Sequence, residues 1–536
     1  MKPLLTSDFK IKFLEITPVY KDKTGVLNTQ EMVAIAALIT FRGKSIKNLL
    51  KEIQTKGDSL NERIVTILLK SSLIGHASMA TTPTFSLAFE GSKFLDSALT
   101  GIIFSSSIMS SGRRTDTIVK DIVFPDKIFF NKKAKIIYRE ISEKIINFFN
   151  FLLSKGVIKD EASKILQYGI YGTGIIQLSV ESIIGLKREY LQEKEWMPEE
   201  IRFLIKKIEK AAKKLGVDLL YTTRELAPRN IYPYPNIFKN PEKSNLVREL
   251  RNTEKLIEGS KLISLDTSIP QGLKKKLEDF EKKRKATFSS FKQIKKNWFN
   301  LLSLHQEIFR DYNLALKFKI LSSVPWRIWG EKKRHRTCPQ IIESIYYCID
   351  RAAQKFKKFK KQIEEQKINV RLLKEIEEVF SLPPSIKENQ EFLSGYLSIA
   401  LQAFEGYQKL INLKIKPREA IFLIPRGVKI DILQEFDLYN LLTGYYPLRL
   451  CQTAEAEMKR NTIKEVIDIK KALTQGGYNW LNKFIGPKCE IIGFCPEERT
   501  CGWVKNVVKD YNEDFHQEMK EELKNKFKEN LKKLGR

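Results

Sequence analysis

The sequence predicts an α+β fold made of two similar halves joined by a charged helical bridge. Segments in which apolar residues alternate, such as 81–91, have the period-two pattern of half-buried strands. Longer segments, such as 132–155, have the 3.6-residue period of amphipathic helices. These segments follow one another in a similar order in the two halves, which favours an internal duplication. We therefore expect domains over residues 1–241 and 286–536, with a helical linker over residues 242–285.

Local patterns predict the elements of the first half in order. The opening strand ends at Pro18, and Thr29 is a candidate N-cap with Glu31 in the first turn of the helix that follows. Gly156 closes the longest helix of this half. The predicted elements are strands 9–18 and 81–91 and helices 29–40, 46–53, 59–73, 132–155 and 197–215.

The second half repeats this order after a connector and the bridge. Proline-rich residues 229–241 predict a connector without regular structure. Residues 242–296 are charged and poor in aromatic residues, and we expect them to be helical throughout. Residues 156–166 and 413–423 share an Ile-Lys pair and a final Leu in register, which supports the duplication. The elements predicted after the bridge are strand 314–320, a loop containing residues 332–336, and helices 343–361 and 390–413.

Composition excludes several classes of protein. The chain has 536 residues with 42% apolar residues, which is enough for a sizeable core and excludes a fully disordered chain. Its uncharged stretches are too short for a membrane span, and six cysteines in so long a chain are not a secreted disulfide framework. We therefore expect a soluble, cytoplasmic protein. The net charge of +30 attracts polyanions, so nucleic acid stays open as a partner, although lysine and glutamate at helical spacing also explain much of the charge.

Two basic clusters are the candidate functional motifs. Residues 334–337 (Arg-His-Arg-Thr) suit a phosphate or a planar heterocycle, because guanidinium groups donate in a fixed fork and stack on rings. Residues 110–114 (Ser-Ser-Gly-Arg-Arg) could hold a nucleotide phosphate at a glycine turn. The alternatives are an ordinary basic patch and a polar turn, and His76 could equally be structural. The sequence has no Walker loop, HExxH, EF-hand or CxxC motif.

The first half resembles the front of the flavin-dependent thymidylate synthases, the ThyX family. The Gly-His pair at 75–76, a Phe-containing strand and Ser-Gly-Arg at 111–113 match the family's pattern at its spacing. Three other family motifs are lost in this half. The Glu-His pair, Arg-Gln and Arg-His-Arg are replaced by Thr81-Thr82, Ser97-Ala98 and Gly101-Ile102-Ile103.

The second half resembles the same family through different motifs. It keeps Arg-His-Arg at 334–336, and Leu448-Arg449 with residues 454–459 is similar to the family's Leu-Arg and the helix after it. The losses here are the complement of those in the first half, so the resemblance implies a tandem-duplicated ThyX with degenerate halves and one composite site. The departures are Phe309 for the early His, Ser344-Ile345-Tyr346 for Ser-Gly-Arg, and Ile421 for a nucleotide-binding Arg.

The resemblance implies a fold and a set of residue roles. Each domain would have a small antiparallel or mixed sheet flanked by long helices. The residues implied to hold flavin are Arg334, His335, Arg336, Thr337 and His76; those implied to bind substrate are Ser111, Gly112, Arg113, Arg114, Ser344 and Arg449; and those implied to be catalytic are Arg449, Ser111 and His76.

The resemblance further implies an enzyme that methylates dUMP to dTMP. Methylenetetrahydrofolate would donate the carbon, and FAD reduced by NADPH or NADH would carry the hydride. The protein would be a dimer of fused chains without a membrane partner. The alternatives are a homologue that has lost catalysis and binds nucleotide or nucleic acid, and an enzyme that makes another modified pyrimidine nucleotide.

Four cysteines lie in the second half and are candidate zinc ligands. The last three have the spacing C-x5-C-x5-C, which is looser than a usual zinc knuckle. We therefore expect buried free thiols, with zinc as the alternative. The four residues are Cys451, Cys489, Cys495 and Cys501.

Overall fold

The computed structural model of the protein describes residues 3–22, 25–55, 59–74, 76–111, 116–232 and 235–534. It forms two compact units, each assembled from segments that are distant in sequence. The first unit contains Met1–Asn245, Val324–Arg336 and Ile342–Ile430, and the second contains Leu246–Ser323, Thr337–Ile341 and Asp431–Arg536. This division differs from the predicted boundaries at 241 and 286, because most of residues 342–430 pack with the N-terminal segment.

The first unit is built around a four-stranded antiparallel sheet. Its strands are β1 (Lys10–Thr17), β2 (Thr84–Ser92), β3 (Ser105–Met109) and β4 (Tyr171–Ser179). They lie in the order β1-β2-β4-β3, with Phe85 opposite Leu178 at the centre. Two shorter strand pairs lie outside this sheet, Leu4–Leu5 with Val123–Phe124 and Tyr20–Asp22 with Gly25–Leu27.

Alternation decides which face of β2 is buried. Phe85, Leu87 and Phe89 are buried, and the residues between them are half-buried. This is the pattern that predicts a strand with one face on the core, and the predicted strand at 81–91 is confirmed. Two glycines, Gly172 and Gly174, lie inside β4.

Helices cover the rest of the first unit, and the predicted helices are confirmed to within a few residues. The N-cap of the first helix is Asn28 and not Thr29, because the Asn28 Oδ1 accepts from the Glu31 amide and the Glu31 carboxylate accepts from the Asn28 amide. The helices are Thr29–Arg42, Ile46–Thr55, Leu60–Lys70, Ser78–Thr81, Phe94–Leu99, Asp126–Phe130, Lys132–Ser154, Lys159–Ala162, Val180–Gln192, Glu199–Lys214, Asp218–Leu226, Trp326–Lys332, Ile345–Lys358, Lys360–Glu364, Val370–Glu377, Pro384–Lys387, Gln390–Asn412 and Pro417–Ala420, with short 3₁₀ turns at Thr6–Asp8, Val119–Asp121 and Ile421–Leu423.

Two long helices of the first unit, α1 (Lys132–Ser154) and α2 (Gln390–Asn412), pack closely against each other. Glycine makes this approach possible, since a Cβ at position 395 would lie 2.5 Å from the Phe148 ring and one at 406 would collide with Ile141. The two helices come from the two predicted halves of the chain, so part of each half contributes to one compact unit.

The second unit carries the other four-stranded sheet. Its strands are β5 (Ser260–Thr267), β6 (Leu316–Pro325), β7 (Gln340–Ile342) and β8 (Lys429–Asp437), in the order β5-β6-β8-β7. Numbered within each sheet, this is the same order as in the first sheet: first, second, fourth, third. Antiparallel pairing of β5 with β6 places Ser260 opposite Ser322. The expectation of continuous helix over 242–296 is therefore wrong at residues 260–267.

The helices of the second unit surround its sheet and end in a long C-terminal helix. Phe318 on β6 stacks on Phe436 of β8 with ring centroids 5.4 Å apart, which fixes part of the core. The helices are Leu246–Thr253, Gln271–Thr287, Phe291–Tyr312, Tyr446–Arg449, Ala456–Gln475, Cys489–Ile492 and Glu513–Lys533, with a π-helical turn at Asn440–Gly444 and 3₁₀ turns at Asn313–Ala315, Asn479–Phe484 and Trp503–Asn506. No helix of the described ranges is long and apolar enough to cross a membrane.

Candidate functional site

The Arg-His-Arg motif lies just after a short helix, Trp326–Lys332, that follows strand β6. Tight backbone turns end this helix, with the Arg334 amide donating to the Glu331 carbonyl and the His335 amide to the Lys332 carbonyl. The turns hold residues 334–336 in the first unit. His335 is half-buried, whereas Arg334 is exposed.

Arg336 is bound to the backbone of the segment that follows helix Phe94–Leu99. Its Nε donates to the carbonyl of Ile102 at 2.9 Å, and its Nη2 donates to the carbonyl of Thr100 at 3.0 Å. The same Nη2 lies 3.3 Å from the hydroxyl of Ser105. Burial, followed by the positive charge of Arg334, lowers the pKa of Arg336. The guanidinium of Arg336 therefore orders this segment.

Asp96 is a carboxylate that pairs with the motif. The Arg334 Nη2 lies 3.4 Å from its carboxylate, and the buried Lys333 ammonium donates to its backbone carbonyl. Burial alone would raise the pKa of Asp96, but the positive charges of Lys333 and Arg334 outweigh it and hold this pKa below its usual value. Asp96 thus stays ionised and anchors the first half of the chain to the Arg-His-Arg segment.

Lys93 is a buried amine beside the second candidate motif. Its Nζ donates to the carbonyl of Ser110 at 2.5 Å and to the hydroxyl of the same residue at 2.6 Å. Burial, followed by repulsion from Arg426, lowers the pKa of Lys93 to about 7. Lys93 therefore fixes the start of the Ser-Ser-Gly-Arg-Arg sequence.

Positive charge exceeds negative charge in this part of the first unit. The carboxylates in contact with the cluster are Asp96 and Glu331, the second of which lies 3.5 Å from Arg327. An excess of positive charge at a partly buried site attracts anions, phosphate above all. The six cations of the cluster are Lys93, Arg327, Lys333, Arg334, Arg336 and Arg426.

The first-half residues expected to bind ligand are only partly described. His76 is exposed, and its amide donates to the Ser71 carbonyl within the same loop. Ser111 is half-buried directly after Ser110, whose amide bonds the Thr173 carbonyl of β4 at 2.8 Å. The remaining residues of these predictions, Gly75, Gly112, Arg113 and Arg114, lie outside the described residues.

The other second-half residues predicted to bind ligand are divided between the two units. Ser344 is buried in the first unit, where its hydroxyl donates to the Lys239 carbonyl at 2.6 Å, which is a structural contact. Thr337 and Arg449 belong to the second unit. The Thr337 hydroxyl lies 3.3 Å from the Asn440 side-chain oxygen, and Arg449 is half-buried at the end of a short helix.

The four late cysteines lie together in the second unit. They line one cavity of about 110 Å³ with Trp503 and Lys459. All four are free thiols, and burial raises the pKa of Cys489 to about 12. Over the described ranges, no group of three or more metal-ligating side chains has the geometry to hold a metal ion.

The sequence analysis missed four residues of the cluster, namely Lys93, Asp96, Arg327 and Arg426. One signal was available for the first two, which are the last charged residues before the uncharged stretch 97–112. Arg426 carried no such signal, since it follows Pro425 in an ordinary turn sequence. Its role depends on folding, which brings its backbone amide to the Leu166 carbonyl at 2.9 Å.

Comparison with known proteins finds a family that matches the segment around the Arg-His-Arg motif. The family described as thymidylate synthase complementing protein, Thy1, matches residues 245–473 of this chain. This segment of the chain is therefore similar to the Thy1 family. The match includes the motif at 334–336, Ser344 and Arg449, whereas His76 and Ser111 precede it.

Thy1 relatives with curated descriptions are similar over part of their length. The flavin-dependent thymidylate synthase of Pyrococcus furiosus is 28% identical over 123 residues, which are 23% of this chain and 49% of the relative. That of Pyrococcus horikoshii is 31% identical over 124 residues, which are 23% of this chain and 50% of the relative. The chain thus spans about half the length of the curated relatives it matches.

Solved structures give only a partial likeness to this chain. A UMP/dUMP methylase, PolB from Streptomyces cacaoi, bound with 5-Br dUMP, covers 42% of this chain and 100% of its own at 13% identity and a TM-score of 0.31. ThyX from Helicobacter pylori, complexed with FAD and dUMP, covers 42% of this chain and 99% of its own at 14% identity and a TM-score of 0.26.

Proposed function

We propose that this protein is a flavin-dependent thymidylate synthase that methylates dUMP to dTMP. Methylenetetrahydrofolate is the carbon donor, and NADPH or NADH reduces the FAD. The observation that carries the proposal is the intact Arg-His-Arg motif at 334–336, which lies inside the Thy1 match and within a cluster of excess positive charge. Every ligand of this reaction carries negative charge, so the electrostatics of the cluster agree with it.

The residues of the cluster fit the FAD diphosphate. Arg334 is exposed and has one weak ion-pair partner, Asp96, so its guanidinium can turn to a ligand oxygen at little cost. His335 lies between the two arginines and would contact the flavin or its phosphates. Bound FAD supplies the hydride chemistry, and the protein supplies orientation and electrostatics. Arg336 contributes mainly by ordering residues 100–105 beside the motif.

The substrate residues of the proposal come from both predicted halves. Ser111 with Gly112, Arg113 and Arg114 would hold the dUMP phosphate or ribose, after the segment that Lys93 fixes. Arg449 would donate to the uracil carbonyl, where a guanidinium stabilises the charge that develops when C6 is attacked. His76 would lie near the flavin, and Thr337 would extend the flavin contacts of residues 334–336.

The proposal includes a tandem duplication with one composite site per chain. The identical strand order of the two four-stranded sheets supports the duplication. The contacts of Arg334 and Arg336 with residues 96–105 support a composite site, because each half contributes to the same cluster. The resemblance to the ThyX family implies an assembly of four single-copy chains. Two duplicated chains would supply the same four domains, and we therefore propose a dimer.

An absorbance spectrum of the purified protein, followed by a dUMP methylation assay with methylenetetrahydrofolate and NADPH, tests this function. We expect flavin absorbance and formation of dTMP from the wild-type protein. The Arg334→Ala variant should lose most of its flavin absorbance and most of its dTMP formation. Arg310→Ala is the matched control, because Arg310 is also exposed and also pairs with a neighbouring aspartate. Protein without flavin, which binds no added FAD and forms no dTMP, would contradict the proposal and favour a nucleotide- or nucleic-acid-binding homologue.

A further inference from the structure

Three buried cations from distant segments lie together in the first unit. Lys93, Arg327 and Arg426 are 7%, 9% and 2% exposed. The backbone brings two of them side by side, since the Arg327 amide donates to the Arg426 carbonyl at 3.0 Å. Next to this bond, the Trp326 amide donates to the Val428 carbonyl at 2.7 Å. Positive charges rarely share a buried position unless an anion accompanies them.

Two of these side chains have hydrogen-bond donors that are not used. The Nε of Arg327 and the Nη2 of Arg426 are buried, and neither has a partner among the described residues. The other contacts of Arg426 hold its guanidinium in place, with Nε 3.2 Å from the Gln167 carbonyl and the group 4.9 Å from the centre of the Tyr168 ring. Buried donors without partners indicate a missing acceptor.

The charge around the three cations is not balanced by protein carboxylates. Burial lowers the pKa of Arg426 to about 10, and repulsion from Arg426 and Arg327 contributes to the lowered pKa of Lys93. Asp96 opposes these shifts, but it is shared with Lys333 and Arg334. Glu331, the other carboxylate, lies 3.5 Å from Arg327, so two carboxylates face six cations and an anion with two charges can be accommodated.

Lys93 also links the three cations to the segments proposed to bind ligand. The Lys93 ammonium bonds to Ser110, which directly precedes the residues proposed to hold the dUMP phosphate. Arg334, which is 45% exposed, repels the Lys93 ammonium. Lys93 therefore interacts both with the residue before the proposed dUMP segment and with the Arg-His-Arg motif.

From these observations we infer that Lys93, Arg327 and Arg426 form a phosphate subsite that binds a phosphate or diphosphate group of a nucleotide. Only the identity of the nucleotide in this inference rests on the proposed function. The phosphate could come from the pyrimidine nucleotide, by way of Ser110, or from the flavin dinucleotide, by way of Arg334. In both cases the Arg327 and Arg426 donors gain acceptors and the Lys93 ammonium gains a counter-charge.

Titration of the full-length protein with inorganic phosphate and pyrophosphate tests the subsite directly. We expect the melting temperature to rise with anion concentration, and calorimetric affinity to fall at least about tenfold in Lys93→Met and in Arg426→Met, since each removes a charge-assisted bond. Lys276→Met, which removes an exposed lysine paired with Asp311, is the control and should bind like wild type. If neither anion changes the melting temperature of the wild-type protein or gives a heat of binding, the inference is overturned.

A second measurement does not depend on whether the variants fold. Phosphate binding should protonate Lys93, so at pH 8 the wild-type protein should take up close to one proton, detected by calorimetry in buffers of different ionisation enthalpy. Binding that takes up no proton at pH 8 would contradict the role of Lys93 in the subsite.

The source of the phosphate is found by comparing each nucleotide with its phosphate-free counterpart. If dUMP binds more tightly than deoxyuridine and Lys93→Met abolishes the difference, the pyrimidine nucleotide occupies the subsite. If FAD binds more tightly than riboflavin and Lys93→Met abolishes that difference, the flavin diphosphate occupies the subsite. Equal affinities in both pairs would overturn the subsite as a nucleotide site. Phosphate-dependent nucleotide binding without dTMP formation would retain the subsite and reject the proposed function.

Discussion

The Nε of Arg336 donates a 2.9 Å hydrogen bond to the backbone carbonyl of Ile102. Arg336 belongs to the intact Arg-His-Arg motif of the second half, and Ile102 stands where the proposed duplication expects a second copy of that motif. Under the proposed duplication, the intact motif packs on the segment that replaced its duplicate. A backbone carbonyl accepts this bond, so the contact does not depend on which side chain residue 102 carries.

The two arginines of the motif should differ in their effect on stability. Arg336→Ala removes three hydrogen bonds from a charged donor and should lower the free energy of unfolding by about 2–3 kcal/mol. Arg334→Ala removes one exposed ion pair and should change it by less than about 1 kcal/mol. Urea unfolding of both variants measures the difference. Equal stabilities would show that the Arg336 contacts do not order the segment.

Stability should rise with pH between about 7 and 9. Lys93 has a pKa of about 7 in the folded protein, against about 10.4 in an unfolded chain, so the unfolded state binds more protons in this range. The free energy of unfolding should therefore increase by about 2 kcal/mol from pH 7 to pH 9. Lys333, with a pKa of about 8, acts in the same direction. In Lys93→Met, chemical unfolding at pH 7, 8 and 9 should give a clearly flatter profile.

His305 should make the protein sensitive to acid. It is buried between Phe280 and Phe309, its Nδ1 has no partner in the described structure, and burial lowers its pKa to about 3. Between pH 6.5 and 3 the unfolded chain gains a proton that the folded chain does not, so stability is lost as the pH falls.

The variant His305→Leu tests this effect because it keeps an apolar side chain of similar size. From pH 7 to pH 5 the wild type should lose about 2 kcal/mol more than the variant. Thermal unfolding at both pH values gives the comparison, and parallel losses in the two proteins would exclude His305 as the cause.

The four late cysteines should react at different rates and hold no zinc. Cys501 is exposed, whereas Cys489 is buried. Burial raises the pKa of Cys489 to about 12, so only a small fraction of this thiol is ionised at neutral pH. Iodoacetamide followed by mass spectrometry should label Cys501 first and Cys489 only after unfolding. Elemental analysis of protein purified without chelator should find little zinc. One zinc per chain with all four thiols protected would instead establish a metal site.

The chain should not fold as two independent halves. Residues 1–245 lack helix α2, which packs on α1 through Gly395 and through the Phe151–Phe392 ring contact. Residues 286–536 lack strand β5, which pairs with β6. Circular dichroism and solubility of fragment 1–245 should therefore show an incomplete fold, and co-expression with 246–536 should restore it. Cooperative unfolding of 1–245 alone would contradict this expectation.

The sequence by itself determined most of the secondary structure and indicated a resemblance to a family. Alternation located β2, helical periodicity located α1 and α2, and the motif at 334–336 lies in the segment 245–473 that matches the Thy1 family. These features are local, because periodicity and short motifs depend on residues that are neighbours in the chain. The same reasoning failed at β5, whose charged surroundings resemble helix and whose pairing with β6 is a long-range contact.

Tertiary structure alone decided which segments share a compact unit and which residues surround the motif. Residues 342–430 pack with the N-terminal part of the chain because helices α1 and α2 bury their apolar faces against each other. No pattern in the sequence indicates that these two helices pack together. Folding likewise brings Lys93 beside Arg426, residues more than three hundred positions apart. The strength of this repulsion depends on burial, since low dielectric surroundings strengthen every charge interaction, and burial is a property of the folded chain.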